Sequence, residues 1–553
     1  MERAERIREL LLRFVAIKTD TGTELERNNR LFYEKWFKEV DYFKEHPECS
    51  GFYPIKADPL GREVCWALLL GKSKETVILI HHTDVVDTED YGRFKEAAYD
   101  PELLEDILKR GALALPRDAV LDLNSDEWLF GRGVSDMKSG GAMQCALFEE
   151  YAVDPTFAGS VLIIGVPDEE NMSAGMRGAL PLLTELKQRY HLNYRLLINS
   201  EPHERQEPNE VIVHDGSVGK LMPIVLVRGK LSHVSEVYQG LNATQLLAAI
   251  VRQTEIDPWF VENKHDTVIP AATWLAARDL KQAYDVSLPL FAGGYLSVLH
   301  ANHTPNEIMH HLFRDIKTAI HQAMADLKAR YNVYATVADN PMPFVDSEPL
   351  VLSYQELYQR VLNENPTAKT TIQAKEKQLT NDVLAGTLAF DQANFQLMMA
   401  VLELWSNKSP VVVTGLMAPY YPAVSNADKS EWQWVSLALE ALKQEVALPN
   451  AQTMKIEHYF TGISDLSYAM YTAPADVIEK IERNLLFWGS AYDIPFQDIQ
   501  NLNVPVVNMG AWGKDLHRYT ERVNKADLFK WAPERLDHLI RLSVDDALIR
   551  NES

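Results

Sequence analysis

The sequence predicts an α/β protein with a mainly parallel or mixed sheet flanked by helices, and three observations carry that expectation. Short apolar runs recur at Val77-Ile78-Leu79-Ile80, at Val161-Leu162-Ile163-Ile164-Gly165-Val166 and at Leu196-Leu197-Ile198. Continuous runs of this kind mark strands buried on both faces. Helical patterns lie between them, at 141–151 and 174–190, which is the alternation of a βαβ architecture. Each run also ends on polar residues: His81-His82, then Asp168-Glu169-Glu170, then Glu201. The carboxyl ends of strands are where open α/β sheets place ligands.

The elements follow in order. Ile7, Leu10, Leu11, Phe14 and Val15 recur at helical spacing within residues 2–18, an amphipathic first helix. After the break at Thr21-Gly22-Thr23-Glu24 a second helix spans 29–42. Beyond about residue 220 the character changes. A strand pattern at 221–227 precedes a helix at 242–253. Thr304-Pro305-Asn306-Glu307 is a capping box with proline at the first helical position, opening a helix to about residue 331. Residues 350–406 read as mainly helical, and Val411-Val412-Val413 as a strand. From Trp432 a helix is expected to lead on to Gly462-Ile463-Ser464-Asp465, and Val504–Val507 is a last strand before Gly510 and His517. The polar strand-end residues lie before 202 and the last candidate after 516. A catalytic domain is therefore expected in two parts, 1–220 and 419–553, split by an inserted domain at 221–418 with a helical extension.

A chain of 553 residues is too long for one core, which stops growing near roughly 250–300 residues. Lys plus Arg is 55 and Asp plus Glu 78, a net charge of −23. That balance argues against nucleic-acid and anionic-membrane partners, which require a basic footprint. Cys49, Cys65 and Cys145 form no CxxC pair, so a reduced, cytoplasmic setting is expected. The start MERAERIRELLLRF lacks the apolar region of a secretory signal, and no apolar run approaches the roughly 18 residues of a membrane span.

The polar residues each admit an ordinary reading. His82 could be a hydrogen-bonded edge histidine, Asp136 in Gly131–Lys138 a helix N-cap, and Asp168-Glu169-Glu170 a solvated loop. Glu201-Pro202 could be turn chemistry and His517 a surface histidine. Together they are more specific. Two imidazoles and three carboxylates suit two zinc-like ions sharing a bridging carboxylate, and a glutamate beside a ligand glutamate can shuttle a proton.

The ordered set His82–Val86 (HxDVV), Gly131–Lys138 (GRGxxDMK), Asp168–Glu170 (DEE), Glu201-Pro202 and His517–Glu521 (HxxxE) resembles the M20 metallopeptidase and aminoacylase family over nearly the whole chain. The resemblance implies a zinc-peptidase-like catalytic domain interrupted by an α+β lid. It implies that Asp136 bridges two divalent ions, Zn most naturally with Co or Mn as alternatives. His82 and Glu201 would complete one ion, and Glu170 and His517 the other. Glu169 would be the base and Asp84 would orient His82. The peptide after Asp136 would be cis. Gly229–His233 is similar to the lid's GxxxH stretch, which makes His233 the implied oxyanion donor. Arg278–Pro289, Ala418–Pro422 and Gly462–Tyr468 resemble most the arginine-utilisation, RocB-like branch.

The expected function is hydrolysis of an amide bond in a small N-acyl amino acid or short peptide, within arginine or amino-acid catabolism. The alternative is a non-catalytic binder or sensor that keeps the fold; it has no need of Glu169. The chain is expected as a monomer or as a homodimer through the lid, with the enlarged insert favouring a monomer-competent arrangement in which His233 acts in cis. Two features are set aside: His310-His311 reads as a solvated helix face, and Ala418–Pro422 as a pocket lining or a connecting loop.

Overall fold

The computed structural model describes residues 2–445, 452–471 and 473–544. Its main sheet has eight strands in the order Ser50–Pro54, Glu63–Leu69, Ser160–Val166, Glu75–His82, Asn193–Asn199, Val506–Asn508, Glu210–His214, Thr453–Glu457. The central strands Ser160–Val166, Glu75–His82, Asn193–Asn199 and Val506–Asn508 pair in parallel. Ser50–Pro54 and Glu63–Leu69 add an antiparallel edge. The expected mixed, mainly parallel sheet is thus present.

Register fixes what the strand ends share. His82 pairs with Val166, and Ile80 with Asn199. Three strands therefore end side by side, and the residues just beyond them are brought to one edge. Val77–Ile80, Val161–Ile164 and Leu196–Ile198 are all buried, because helices cover both faces. The helices Arg3–Val15 and Lys138–Val153 pack together on one face. Lys138–Val153 approaches very closely: a Cβ on Gly140 would fall 2.5 Å from the Ser200 carbonyl oxygen, and one on Gly141 2.6 Å from the His81 ring. Two glycines weaken a helix, and here they let it sit against the strand ends.

A second, six-stranded sheet is built from Gly219–Leu221, Pro223–Arg228, Thr273–Asp279, Phe291–His300, Leu350–Ser353 and Val411–Leu416. Helices Ala243–Thr254 and Pro305–Val337 pack against each other beside it. The expected capping box is present: Thr304 and Glu307 bond each other's backbone amides. The helix runs to Val337, more than a turn and a half beyond the expected end near residue 331. Residues 350–406 begin with a strand parallel to Val411–Leu416, then form helices Tyr354–Glu364, Ala368–Leu384 and Phe390–Leu404. Phe395, Leu397, Met398, Val401 and Leu402 of the last helix share a core with Ile224 and Leu226 of the sheet.

Two expectations are corrected. The helix from Trp432 does not lead on to Gly462: it is Gln433–Glu445, and the strand Thr453–Glu457 follows, parallel to Glu210–His214. Met454 is buried between exposed Thr453 and Lys455, the period-two pattern of an edge strand that the helical reading missed. His311 is not solvated. Asp257 lies 2.7 Å and Asp315 3.1 Å from its Nε2, and Trp259 stacks on its ring.

Candidate metal centre

His82 is the last residue of its strand and is 1% exposed. Its Nδ1 lies 2.9 Å from the Asp84 carbonyl oxygen, which fixes the proton on that nitrogen. Nε2 is then free to face Asp136 Oδ1 at 2.9 Å and Glu201 Oε1 at 3.5 Å. Asp84 is fully buried, and its two oxygens accept the backbone amides of Glu169 and Glu170, each at 3.2 Å. It therefore ties the loop after one strand to the loop after the next.

The second half of the cluster comes from far along the chain. His517 Nε2 lies 3.0 Å from Asp136 Oδ2 and 3.0 Å from Glu170 Oε2. Asp136 thus presents one oxygen to each imidazole. The Asp136–Met137 peptide is cis, as expected. Burial pushes the Glu169 and Glu201 carboxyls well above their ordinary range, and neighbouring carboxylates add to it against the opposing pull of His82. For Asp136 the bonds to His517 and His82 outweigh burial and pull it down. His517, bonded first to Asp136 and then to Glu170, is raised to about 10.

The residues fit divalent ions. Four carboxylates, Asp136, Glu169, Glu170 and Glu201, line one cavity of about 320 Å³ with His517, and such a group repels itself unless cations compensate. The donor atoms of His82, Asp136 and Glu170, and those of His82, Glu169 and Glu201, each lie within 4.8 Å of one another. Two ligands on one tetrahedral zinc sit about 3.3 Å apart, close to the 2.9–3.5 Å separations around Nε2 of His82.

The structure brings together His82, Asp84, Asp136, Glu169, Glu170, Glu201 and His517. It does not bring His233 with them: that residue is exposed, its Nδ1 lies 2.7 Å from Ser235 Oγ, and it does not line the cavity. Sequence reasoning missed other contributors. Glu521 was visible only as the end of a motif. Its Oε1 accepts the amides of Gly133, Ser135 and Asp136, and its Oε2 pairs with Arg132 at 2.7 Å. Arg62 pairs with Glu26 at 2.9 Å and with Asp168, bracing the loop that carries Glu169 and Glu170. Lys220, Tyr421, Phe460 and Ile463 line the cavity wall. The run Ala418–Pro422 is therefore a pocket lining at Tyr421.

These features define a metal-dependent hydrolase. Residues 78–478 match Peptidase family M20/M25/M40, and the chain belongs to that family. It is 30% identical over 537 residues to an uncharacterized protein of Bacillus subtilis (strain 168), YqjN, covering 96% of this chain and 95% of that one. It is 26% identical over 540 residues to the protein RocB of the same organism, covering 96% and 94%. A tripeptidase from Staphylococcus aureus shares the fold, with a TM-score of 0.51 and 12% identity over 98% of each chain. Among the described residues no helix is long and apolar enough to cross a membrane.

Proposed function

We propose that this chain hydrolyses an amide bond in a small N-acyl amino acid or short peptide, using two zinc ions held by His82, Asp136, Glu170, Glu201 and His517. The observation that carries this reading is the placement of the two Asp136 oxygens, 2.9 and 3.0 Å from two different imidazole nitrogens, in the same cavity as Glu169. Asp136 would be shared between the ions, with His82 and Glu201 holding one and Glu170 and His517 the other. When bound, the ions supply Lewis acidity for the carbonyl and a nucleophilic water at neutral pH. Glu169 would take a proton from the attacking water and return it to the leaving amine nitrogen. Asp84 keeps His82 in the tautomer that offers Nε2.

Residues 1–220 and 419–553 are read as the catalytic domain and 221–418 as the lid. The composition of the two sheets supports this division. His233 is read as the donor to the carbonyl oxygen. Its exposed position outside its own cavity favours delivery by a second copy over the single-chain arrangement that the enlarged insert suggests. A cavity of about 320 Å³ suits a compact substrate. A place in arginine or amino-acid catabolism in the cytoplasm is part of this reading; it follows from the resemblance of the sequence motifs to the RocB-like branch, and the 26% identity to RocB over 96% of the chain supports that branch.

The test is a panel of N-acyl amino acids and short peptides, with metal content measured on each variant. Glu169→Gln should keep its metal and lose about 10²–10⁴ in turnover, while His82→Ala should lose metal. Wild-type turnover by Glu169→Gln would overturn the mechanism.

A further inference from the structure

A second cavity, of about 380 Å³, has no lining residue in common with the candidate metal centre. It opens between the start of the long helix Pro305–Val337, the strand Val411–Leu416 and the helix Ala475–Asn484. Thr414 and Leu416 stand two residues apart on that strand and so share one face of it. It is the face under the long helix, because Leu416 belongs to the same core as Ile308 and Leu312. The helix Ala475–Asn484 is tied to the same strand: just beyond its end, the Leu486 amide donates to the Leu416 carbonyl at 2.9 Å.

Several polar groups of the lining are already paired. Ser353 Oγ accepts the Glu356 amide at 3.1 Å, and Glu356 Oε2 accepts the Ser353 amide at 2.7 Å. Asn484 Oδ1 accepts the Gln355 amide at 3.2 Å, and its Nδ2 donates to the Lys480 carbonyl at 2.9 Å. The side chains that can carry charge, those of His310, Glu356 and Lys480, are exposed and stand at the mouth. Thr414 differs from all of these. It is 1% exposed, and its hydroxyl is the one buried side-chain polar atom of this lining that has no hydrogen-bond partner among the described residues. A hydroxyl withdrawn from water and left unpaired is costly. The walls near it are apolar: Met309, Phe313, Leu416 and Ile481.

We propose that this cavity is a binding site for a small uncharged ligand of the phenol type, with its ring against Met309, Phe313, Leu416 and Ile481 and its hydroxyl paired with Thr414. The proposal is independent of the hydrolase reading. Each part of the ligand follows from the lining. A threonine hydroxyl both donates and accepts, so a hydroxyl on the ligand can meet it either way. A buried end that offers one neutral hydroxyl and no charge cannot offset the desolvation of an ion, which disfavours a carboxylate or an ammonium there. A ring suits the walls, since Phe313 can take it edge to face and the Met309 sulfur can lie at its edge. The volume is near the lower end for small-molecule pockets, which fits one ring with short substituents. A ligand seated there touches the strand and the helix Ala475–Asn484 together, and so stabilises their contact by mass action.

The test compares two probes of the same shape, 4-methylphenol and 1,4-dimethylbenzene, of which only the first carries a hydroxyl. Both are titrated into the full-length, metal-loaded protein and followed by ligand-observed NMR. The wild type should bind the phenol about fivefold more tightly, the scale of one neutral hydrogen bond. Thr414→Val keeps the shape of the side chain and removes its hydroxyl. It should abolish the preference while still binding 1,4-dimethylbenzene, and Thr414→Ser should retain the preference. Where Thr414→Val does not fold, Thr414→Ala replaces it in the same comparison. Three results overturn the proposal: no binding of the phenol to the wild type at millimolar concentration, equal affinity of the wild type for the two probes, or a preference that survives loss of the Thr414 hydroxyl.

Discussion

Glu521 accepts the backbone amide of Asp136 at 3.2 Å, through the same oxygen that takes the amides of Gly133 and Ser135. A carboxylate from late in the chain thus shapes the turn that aims Asp136. Its other oxygen is neutralised by the buried guanidinium of Arg132. Glu521→Gln keeps the shape and removes the charge, and one of its two ends must turn an amide hydrogen towards a donor. Metal affinity should fall about 10–100-fold, as it does when groups that orient ligands are lost. A chelator competition on the purified variant measures this, and an unchanged affinity would refute the role.

Gly140→Ala inverts the usual rule for helix interiors. Alanine is normally better than glycine by about 1 kcal/mol. Here the added methyl would lie 2.5 Å from the Ser200 carbonyl oxygen, a backbone atom one residue before Glu201. The variant should be destabilised by about 1–3 kcal/mol, the cost of overpacking. The urea midpoint reads it, and a gain in stability would show that the helix has room.

His300 gives a pH prediction away from the metal cluster. Burial pulls its pKa down to about 4, below the ordinary value near 6.5. The unfolded chain therefore takes up the proton first. The stability associated with neutral His300 is present above about pH 6.5 and is lost as pH falls towards 4, by roughly 1–3 kcal/mol. His300→Gln should flatten the fall in melting temperature across that window relative to wild type. Equal slopes for the two proteins would contradict the assignment.

His233 can be tested by mixing. Glu169→Gln chains lack the base and His233→Ala chains lack the lid imidazole, so each should be inactive alone. If the imidazole is delivered by a second copy, activity should return on mixing, to about a quarter of wild type for random pairing with one competent site per mixed dimer. No recovery under conditions that permit subunit exchange would place the histidine in its own chain's reaction.

The convergence of His82, Glu170 and Glu201, which we read as metal ligands, was legible because each follows a local signal. His82, Glu170 and Glu201 come just after apolar runs, and in a parallel sheet such ends converge through register. What was not legible depends on distant partners. Nothing near His311 in sequence announces Asp257, 54 residues away. Nothing near Lys220 announces Tyr421, whose backbone bridges to it from another part of the fold. His233 stood out by its motif, yet it lies exposed and does not line the cavity. The overlong helix after Trp432 had a similar cause, since a single-face strand such as Thr453–Glu457 offers only Met454 and Ile456 as apolar markers.

The Asp136–His517 pairing closes a loop of 381 residues. Contacts of such separation form late, because chain entropy opposes them until the intervening parts are in place. Asp136 and His82, by contrast, are 54 residues apart. Binding by the His82 side of the cluster would therefore begin while the chain is still assembling, whereas the His517 side requires the C-terminal part to have joined the main sheet through Val506–Asn508. Metal uptake during refolding should occur in two phases, and the slower phase times the completion of the fold.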